Sequence, residues 1–434
     1  MRESGKLTAA MEILDDFTAR RVPLKTAIAD WGRQNRYAGA KDRAWIAGLC
    51  LDVLRRRTSL ATQMGEDSPR ALVLGALHYL WQTPLETLGE WAAEEPHGPG
   101  ALAYDEQTAL AQENTLDTDK SGDVPDWVLP LLERAFGDKA AVEARAFGQR
   151  ASVDLRLNAL KATPEKALSA LKSVKAKAAP ILNNAAQIKA PDPAKKAPAV
   201  TVIPAFNKGW VEVQDLGSQI VTAAAGDIGG AQVMDYCAGG GGKTLALSAL
   251  MNNTGQLYAY DRDARRLKPL YHRAKRAGVR NVQVCNPVDG GVPDDLQGKM
   301  DVVFVDAPCT GSGTWRRHPD TKWRLTEQQL ERRLREQDTV LTEAAPFVRP
   351  GGHLLYVTCS VFMEENEDRL AAFLETHKDF QFAPALQNME KSGLLAEDGK
   401  VALQACETPD GALRLSPARI GTDGFFVALL EREA

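Results

Sequence analysis

The 434-residue sequence has no CxxC pair, no large excess of one charge and no long apolar segment. Its six cysteines are scattered, and no histidine lies near them in a ligand-like spacing, so we expect free thiols and neither zinc nor another metal. Each thiol is by default a small buried hydrophobe. A net charge of -4 excludes a chain that is basic throughout, although it leaves room for local basic patches.

Segments for export or membrane insertion are also missing. Charged residues interrupt the first sixteen positions, where a signal peptide needs an apolar core. The longest apolar stretch, ALVLGALHYLW from Ala71, is shorter than the roughly 20 residues that span a bilayer. We therefore expect a cytoplasmic protein that does not bind membranes, and the chain length predicts two or three domains.

The first part of the chain is predicted to be helical. Apolar residues recur at helical spacing from about Leu7 to Trp91, which predicts an all-helical domain over residues 1–95. A stretch rich in glycine, proline and acidic residues predicts a linker over 96–123. A small α+β segment is predicted over 124–205, with a helix in VPDWVLPLLERAFG, a strand in SVDLRLNAL and a helix introduced by Thr163-Pro164.

A basic stretch follows within this segment. Residues 151–200 hold nine Lys and Arg against three Asp and Glu. The part from Ala176 to Val200 is rich in alanine, lysine and proline, which predicts that some of it forms a mobile basic loop. Contact with RNA and a solvated lysine surface are both open interpretations.

Residues 206–434 alternate between short apolar runs and helical stretches. The runs QVMDYCA, QLYAYD, NVQVC, DVVFVDAP and HLLYVTCS predict strands. Strands separated by helices predict an α/β fold with a mostly parallel, doubly wound sheet of the Rossmann-like class. The last run, FFVALLERE, predicts one more strand that is antiparallel and at or near an edge.

A glycine-rich turn, DYCAGGGGKT from Asp235 to Thr244, joins the first of these strands to a helix. A phosphate-binding loop of the Walker A type needs glycine where this chain has Cys237, although VVFVDAP resembles a Walker B strand. A P-loop NTPase is therefore the main alternative. Against it, Asp261 closes the next strand 22 residues beyond Gly239, where Rossmann-like sheets place the acid that binds ribose hydroxyls. A surface aspartate that opens a helix is the simpler interpretation of Asp261.

Two cysteines follow predicted strands, at the edge where open parallel sheets bind ligands. Cys309 lies in DAPCTGSGT and Cys359 in YVTCS, and both are surrounded by small, polar, turn-forming residues. For these two thiols we expect a functional role instead of a place in the core.

Taken in order, these motifs resemble the RsmB-type RNA cytosine-5 methyltransferases, which use S-adenosylmethionine. The resemblance covers Phe206 to the C-terminus. Its motifs are VQDLGSQ, DYCAGGGGKT, the strand end at Asp261, DAPCTGSGTWRRHPDTKWR, PGGHLLYVTCSVFMEENE and TDGFFVALLER. The N-terminal helices look like that family's NusB-like RNA-binding domain, and LRLNALKAT is similar to its pre-catalytic RNA-binding segment.

One motif departs from the family. Its loop usually reads CAAPGGKT, whereas Gly239 and Gly240 stand here in place of alanine and proline. Glycine at both positions permits close approach of the backbone to the cofactor but makes the free loop more mobile. Weaker cofactor binding or loss of activity are possible consequences, so an RNA-binding protein without turnover is a further alternative.

The resemblance implies methyl transfer to carbon-5 of a cytosine in RNA. Small-subunit ribosomal RNA is the expected substrate, and transfer RNA is the nearest alternative. Carbon-5 is a poor nucleophile, so a thiolate must first add to carbon-6. By resemblance Cys359 is this nucleophile, Cys309 assists release, and Asp306, protonated at least transiently, stabilises the ring near N3. DNA cytosine methyltransferases give a precedent for the opposite assignment of the two cysteines.

The resemblance also implies the residues that bind S-adenosylmethionine. They are Cys237, Ala238, Gly239, Gly240, Gly241, Gly242, Lys243, Asp261, Asp289 and Asp306. The glycine turn is expected to hold the amino acid end of the cofactor, and Asp261 the ribose. Asp289 is the candidate for the adenine edge, with Asp294 and Asp295 as alternatives.

A stretch directly after Cys309 interleaves cations with aromatic residues, a composition that suits phosphate contact and base stacking. The expected RNA-binding residues are Arg316, Arg317, Lys322, Trp323 and Arg324. The alternative is that Trp315 and Trp323 are packing residues. We expect the protein to act as a monomer.

Overall fold

The computed structural model describes residues 1–118, 122–190, 192, 194 and 200–434. These residues form two compact units. The first unit contains Met1–Arg150 and Thr314–Leu325, and the second contains Ala151–Ala190, residues 200–313 and Thr326–Ala434. Among the described residues, no helix has both the length and the apolar character needed to cross a membrane.

The first unit is helical. Its helices before Arg150 are α1 (Glu3–Arg20), α2 (Leu24–Gln34), α3 (Ala40–Arg55), α4 (Arg57–Met64), α5 (Pro69–Gly75), α6 (Leu85–Ala93), α7 (Tyr104–Leu110), α8 (Leu129–Phe136) and α9 (Ala140–Phe147). A π-helical turn, Ala76–Leu80, continues α5. The apolar stripes of α1 to α7 meet in one core that includes Leu7, Leu49 and Leu74.

The helical character predicted for residues 1–95 is confirmed, but the compact unit extends to Arg150. The stretch 96–123, predicted to be a linker, contains α7, which buries Ala109 and Leu110 in the same core. Helices α8 and α9 also belong to the first unit and not to the α+β segment. Helix α7 has only seven residues, too few to show a clear hydrophobic period. The glycine and proline residues around it therefore led to the prediction of a linker.

A small antiparallel sheet begins the second unit. Its elements are β1 (Val153–Leu157), α10 (Pro164–Ser169), β2 (Lys177–Ala178), β3 (Ala185–Ile188), α11 (Pro204–Asn207) and β4 (Val211–Val213), with strand order β2-β3-β1-β4. The predicted strand and helix are confirmed, and Thr163 caps α10 by accepting a hydrogen bond from the Lys166 N–H.

The mobile basic loop predicted within 176–200 needs correction. The stretch 177–188 contains two paired strands, because Ala186 and Ile188 supply apolar side chains to the core of the small sheet. The rest of that prediction falls on residues 191, 193 and 195–199, which lie outside the described residues.

The remainder of the second unit is a doubly wound α/β fold, as predicted. Its strands are β5 (Gln232–Asp235), β6 (Gln256–Tyr260), β7 (Val282–Cys285), β8 (Met300–Asp306), β9 (Val348–Thr358), β10 (Phe380–Ala383), β11 (Leu413–Leu415) and β12 (Phe425–Arg432). Its helices are α12 (Leu216–Ala223), α13 (Gly242–Leu250), α14 (Ala264–Ala277), α16 (Glu327–Ala344), α17 (Glu367–Thr376), α18 (Ala385–Glu390), α19 (Glu397–Gln404) and α20 (Pro417–Ile420). Helix α15 (Pro319–Arg324) belongs to the first unit.

The large sheet has the order β10-β12-β9-β8-β5-β6-β7, and β11 pairs with β12. Strands β5 to β9 run parallel, whereas β12 lies antiparallel between β9 and β10. The predicted antiparallel strand near an edge is therefore confirmed. Continuous apolar runs form these strands because helices cover both faces of a parallel sheet.

The strand order reverses between β5 and β8, which are neighbours although β6 and β7 separate them in the chain. In open parallel sheets, ligands bind outside the carboxyl ends of strands at such a point. The glycine turn leaves β5 there, and the loop that carries Cys309 leaves β8. Asp306 pairs with Val357 in the register of β8 and β9, so the loop with Cys359 begins alongside.

Candidate active site

The glycine turn is held by its own backbone geometry. Gly239 and Gly241 have φ values of 51° and 82°, in the left-handed region that favours glycine. A Cβ at Gly241 would collide with the Leu270 side chain of α14. The backbone of Gly240 is also restrained, since its carbonyl accepts a hydrogen bond of 2.7 Å from Arg273.

Helix α13 begins at Gly242 and directs its first amides towards this edge of the sheet. The N–H groups of Gly242, Lys243 and Thr244 meet no hydrogen-bond acceptor in the described part of the chain. Unpaired amides at a helix N-terminus attract a carboxylate or a phosphate. The turn thus has the donors that an anionic end of a ligand requires.

Asp261 is a buried part of this turn. Its carboxylate accepts hydrogen bonds from the N–H groups of Gly239, at 3.0 Å, and Asp263, at 2.9 Å. It also pairs with Arg266 at 2.9 Å and is only 2% exposed. The interpretation as a surface aspartate that opens a helix is wrong, because Asp263 is the residue that caps α14. Contact of Asp261 with a ribose stays a prediction.

A second buried carboxyl, Asp235, was not singled out from the sequence. One oxygen accepts a 2.6 Å hydrogen bond from Thr244 Oγ1, and the other has no partner among the described residues. Burial, together with the nearby charge of Asp306, raises the pKa of Asp235 to about 7. Its position, at the end of β5 before a glycine turn, is the signal that sequence reasoning overlooked.

The two thiols for which the sequence predicts a functional role lie together. Cys309 Sγ and Cys359 Sγ are 3.3 Å apart, and both are partly exposed. Contact with Cys359, burial and the charge of Glu365 raise the pKa of Cys309 well above its ordinary value. The structure therefore keeps Cys309 as a thiol at neutral pH. No group of three or more metal-ligating side chains occurs in the parts of the chain that the structure describes.

Lys243 pairs with Asp306 and lies near Cys359. Its ammonium group is 2.8 Å from Asp306 Oδ2. Burial lowers the pKa of Lys243, but the charges of Asp306 and Cys359 outweigh it and the pKa is raised. Lys243 was predicted only as a part of the glycine turn. Because Lys243 and Asp306 are 63 residues apart, sequence reasoning had no means of pairing them.

Glu365, in the middle of the motif MEENE, joins the two cysteine loops. Its buried carboxylate accepts hydrogen bonds from the N–H and Oγ1 of Thr310, at 2.8 and 2.5 Å, and from the Ser360 hydroxyl. Gln337 of α16 donates to Glu365 at 3.0 Å and to the Pro308 carbonyl at 2.9 Å. Burial raises the pKa of Glu365 despite these donors. Each cysteine is thus adjacent to a residue that Glu365 holds.

The other predicted ligands occupy different places. Cys237 lies in the glycine turn, and burial raises the pKa of its thiol well above the ordinary value. Asp289 is exposed in a short turn directly after β7, at the carboxyl edge of the sheet. Asp294 and Asp295 lie in a turn shortly before β8 begins, near the opposite edge. The topology therefore favours Asp289 over the two alternatives for a contact with adenine.

The predicted RNA-binding stretch after Cys309 needs correction at three positions. Lys322 is 1% exposed and donates to the Arg55 carbonyl at 3.1 Å, and Trp323 Nε1 donates to the Leu54 carbonyl at 2.7 Å. Arg316 is also buried. Helix α3 ends at Arg55, and its last carbonyls have no partner within the helix, so these two donors satisfy them.

Trp315, buried against Phe147 with ring centroids 5.9 Å apart, is a packing residue as well. Arg317 is partly exposed, and Arg324 forms an ion pair of 3.3 Å with Asp320. Of the five predicted residues, Arg317 and Arg324 remain candidates for a contact with RNA. A sequence pattern of cations and aromatic residues does not show whether the side chains face solvent or donate hydrogen bonds to the buried end of another helix.

Comparison with known families gives a match over much of the second unit. Residues 227–431 match the family described as 16S rRNA methyltransferase RsmB/F. The ribosomal RNA small subunit methyltransferase B of an Enterobacter species is 32% identical over 323 residues, which cover 73% of this chain and 68% of that protein. The protein of that name from Escherichia coli is 28% identical over 398 residues, covering 86% and 89% of the two chains.

Other relatives match over a shorter stretch. The aligned part of the chain spans about half the length of the relatives from Synechocystis and Photorhabdus, 51% and 53% respectively. Among solved structures, a methyltransferase homologue from Pyrococcus horikoshii has 26% identity and a TM-score of 0.53, and the match covers 71% of this chain and all of that one. The structure of PH0851 covers the full chain at a TM-score of 0.71 and 24% identity, which shows a shared fold.

Proposed function

Because the chain belongs to the RsmB/F family of 16S rRNA methyltransferases, we propose that it methylates carbon-5 of a cytosine in small-subunit ribosomal RNA. S-adenosylmethionine is the methyl donor in this proposal. The observation that carries it is the pair of thiols 3.3 Å apart at the carboxyl edge of β8 and β9, beside the Lys243–Asp306 ion pair. A cytoplasmic site of action follows from the ribosomal substrate.

The residues of the glycine turn fit the cofactor. Its free amides suit the carboxylate of the methionine part, and the positive φ values of Gly239 and Gly241 leave room for close approach. The Asp261 carboxylate would accept hydrogen bonds from the hydroxyl groups of a ribose once the exposed Arg266 side chain moves aside. When bound, S-adenosylmethionine supplies an electrophilic methyl group.

Cys359 acts as the nucleophile in this proposal. Its Sγ forms a bond with carbon-6 of the cytosine, which makes carbon-5 nucleophilic. The ammonium group of Lys243 lies near Cys359, so a cation faces the sulfur that attacks carbon-6. Cys309 lies against Glu365 and Cys359 and stays protonated, so its thiol does not compete for carbon-6.

The remaining groups handle protons and charge. Lys243 keeps its proton and donates to Asp306 across 2.8 Å, so the ammonium group that Asp306 orients is the donor to ring nitrogen N3 while electrons shift from Cys359 Sγ into the ring. Once Cys359 Sγ is bonded to carbon-6, the hydrogen bond that most raises the pKa of Cys309 is lost, and Cys309 gives its proton to solvent. After methyl transfer, the Cys309 thiolate takes the carbon-5 proton, the electrons of that C–H bond form the carbon-5 to carbon-6 double bond, and Cys359 leaves carbon-6 as a thiolate. Both steps need a group adjacent to Cys359 Sγ, and Cys309 occupies that place.

The alternatives receive less support. A P-loop NTPase needs its lysine free for phosphates, whereas Lys243 pairs with Asp306. An RNA-binding protein without turnover would follow from a disordered glycine loop, but Arg273 and Asp261 hold this loop in place. Transfer RNA remains the alternative substrate.

The test is bisulfite sequencing of total RNA from cells with and without this protein, combined with transfer of labelled methyl groups to purified RNA. The proposal predicts one or more cytosines in small-subunit ribosomal RNA that resist bisulfite only when the protein is present. If the protected cytosines lie only in transfer RNA, transfer RNA is the substrate. If no cytosine is protected and no labelled methyl group is transferred, the proposed enzyme activity is overturned.

A further inference from the structure

Helix α14 has an unusual charge distribution. Its fourteen residues, ARRLKPLYHRAKRA, include six Lys and Arg and no Asp or Glu. The helix buries Leu267, Leu270 and Ala277 and directs the rest of its side chains outward or along its sides. It begins beside the glycine turn, since Arg266 pairs with Asp261, which in turn holds the Gly239 amide. A basic face therefore starts at the proposed active site.

Some of these cations are already neutralised. Arg265 pairs with Asp263, and Arg273 and Arg276 share the buried carboxylate of Glu212. Lys268 and Lys275 are exposed, and no carboxylate in the described part of the second unit pairs with either. Their charges are available to a partner.

The free cations lie in one row with an aromatic side chain. Lys268, Tyr271 and Lys275 are spaced three and four residues apart, so they lie on one face of the helix. Tyr271 is 56% exposed, although a tyrosine ring is normally at least half buried when it serves packing. Alternating ammonium groups and an exposed ring suit a chain of phosphates and unstacked bases.

The row continues onto the small sheet at the C-terminal end of α14. The Lys161 side chain passes over Gly278, and its Cδ lies 2.8 Å from the position that a Cβ on Gly278 would occupy. Asn158, close to Lys161 in the chain, donates a hydrogen bond of 2.8 Å to the Ala277 carbonyl. Beyond it, the ring of Trp210 lies under the ammonium groups of Lys166 and Lys208, at 4.7 and 5.0 Å. These residues extend a surface of cations and rings from the helix onto the small sheet.

We propose that this surface, Lys268, Tyr271 and Lys275 with Lys161 and Trp210, binds the backbone and unstacked bases of the RNA outside the methylated nucleotide. The inference rests on the proposed function for the identity of the anion. A helix of fourteen residues is about 21 Å long, enough for contact with several phosphates. RNA fits better than an anionic membrane, because the exposed ring stands between the cations in a single row and not on an apolar face.

The test uses the full chain and an unmodified transcript of small-subunit ribosomal RNA. Lys268→Glu/Lys275→Glu is expected to weaken binding by about ten-fold or more near 0.1 M salt, and to make the salt dependence less steep by roughly 0.7 per lost phosphate contact. Tyr271→Ala is expected to weaken binding about ten-fold with an unchanged salt dependence, because stacking releases no counterions.

The matched control is Lys378→Glu/Lys391→Glu. It reverses two exposed lysines outside α14, Lys378 just before the edge strand β10 and Lys391 at the end of α18, and is expected to change RNA binding less than three-fold. Equal losses in both double variants would show a non-specific charge effect and overturn the proposal. A second result would also overturn the proposal: the Lys268→Glu/Lys275→Glu variant binds RNA as tightly as the wild type but no longer binds phosphatidylglycerol vesicles. That result would assign the surface to a membrane.

Failure of the proposed function gives a different result. If the wild-type protein binds the transcript with the expected salt dependence but transfers no labelled methyl group, the proposed activity fails and the RNA surface stands. If it transfers methyl groups and the variants bind RNA as the wild type does, the activity stands and the surface is overturned. Circular dichroism of each variant checks that the exposed substitutions leave the fold intact.

Discussion

Cys309 and Cys359 are close neighbours with different surroundings. Lys243 is near Cys359, whereas Glu365 is near Cys309. Cys359→Ala should therefore abolish methyl transfer and leave no covalent protein–RNA product. Cys309→Ala should keep the bond to carbon-6 but slow its cleavage, so that a protein–RNA adduct accumulates and migrates slowly on a denaturing gel.

Cys285→Ala is the control for these variants, because this thiol is buried at the end of β7. It should retain methyl transfer and form no stable adduct. If Cys359→Ala accumulates the adduct and Cys309→Ala does not, the two roles must be exchanged, as in DNA cytosine methyltransferases.

Asp235 gives the protein a pH-dependent stability. Burial raises its pKa to about 7 from 3.8, so the folded state binds more protons than the unfolded state between these values. Stability from this group is present below pH 4 and is lost as the pH rises towards 7. The difference in free energy of unfolding between Asp235→Asn and the wild type should therefore shift by roughly 2 kcal/mol in favour of the variant when the pH rises from 5 to 8, since one pKa unit corresponds to about 1.4 kcal/mol.

Urea unfolding of the wild type and the variant at both pH values measures this difference. Asp227→Asn is the control, because it makes the same replacement of a carboxylate by an amide at an exposed position. A difference between Asp235→Asn and wild type that does not change with pH would show that Asp235 is ionised in the folded protein.

These side chains mark the limit of what the sequence could predict. Cys309, Cys359, Asp306 and Asp261 were identifiable because each follows an apolar run at a predicted strand end. The pairing of Lys243 with Asp306, and of Glu365 with Thr310, depends on which strands become neighbours. Such contacts follow from the strand order, which local patterns do not contain.

The loop between β9 and α17 orients the thiols through Glu365. Replacing Glu365 with glutamine preserves its shape but removes its charge and one acceptor for Thr310 and Ser360. We expect Glu365→Gln to lower kcat by about ten-fold or more with little change in KM for S-adenosylmethionine, and to shift the pH optimum downward. The shift follows because the charge of Glu365 helps to raise the pKa of Cys309.

The pH profile separates this role from a structural one, because a distorted loop would lower the rate equally at all pH values. Glu375→Gln, an exposed substitution on α17, is the matched control and should leave both kcat and the pH optimum unchanged. An unaltered optimum in Glu365→Gln would show that Glu365 only supports the loop.

The turn between β5 and α13 offers a second matched pair. Gly241 has a φ of 82°, and a Cβ there would collide with Leu270. At Gly240 φ is not positive, and the nearest atom to an added Cβ is 3.6 Å away. Gly241→Ala should therefore weaken S-adenosylmethionine binding by about ten-fold or more, and Gly240→Ala by less than three-fold, as measured by calorimetry. Equal effects would contradict the observed turn geometry.

Elements with strong local signals were predictable, and short ones were not. The strands β5, β6, β7, β8 and β9 are continuous apolar runs between turn residues, and the sequence predicted all of them. Helix α7 and strands β2 and β3 are short and lie in stretches rich in Ala, Gly, Pro and Lys. Packing stabilises these elements, so composition alone suggested loops there.

The assignment of the whole chain rests on several motifs that meet at one edge of one sheet. Six motifs spread over about half of the chain predicted the family, and the parallel strands bring together those that we propose to be catalytic. The helical first unit was predictable in class but not in extent, because the segment Thr314–Leu325 joins it from far along the sequence. This return of the chain also explains why the basic residues at 316 and 322 are buried.

Ligand binding should therefore stabilise the chain selectively. Every residue proposed to bind S-adenosylmethionine belongs to the second unit, so the ligand stabilises the folded form of that unit by about 2.7 kcal/mol at one hundred times its Kd. In calorimetric unfolding, S-adenosylmethionine should raise the Tm of the transition that exposes the large sheet, and ATP at the same concentration should not. Gly241→Ala should remove most of this shift while Gly240→Ala retains it. If ATP raised this Tm more than S-adenosylmethionine does, the ligand of the site would be a nucleoside triphosphate and not a methyl donor, and the functional assignment would be reversed.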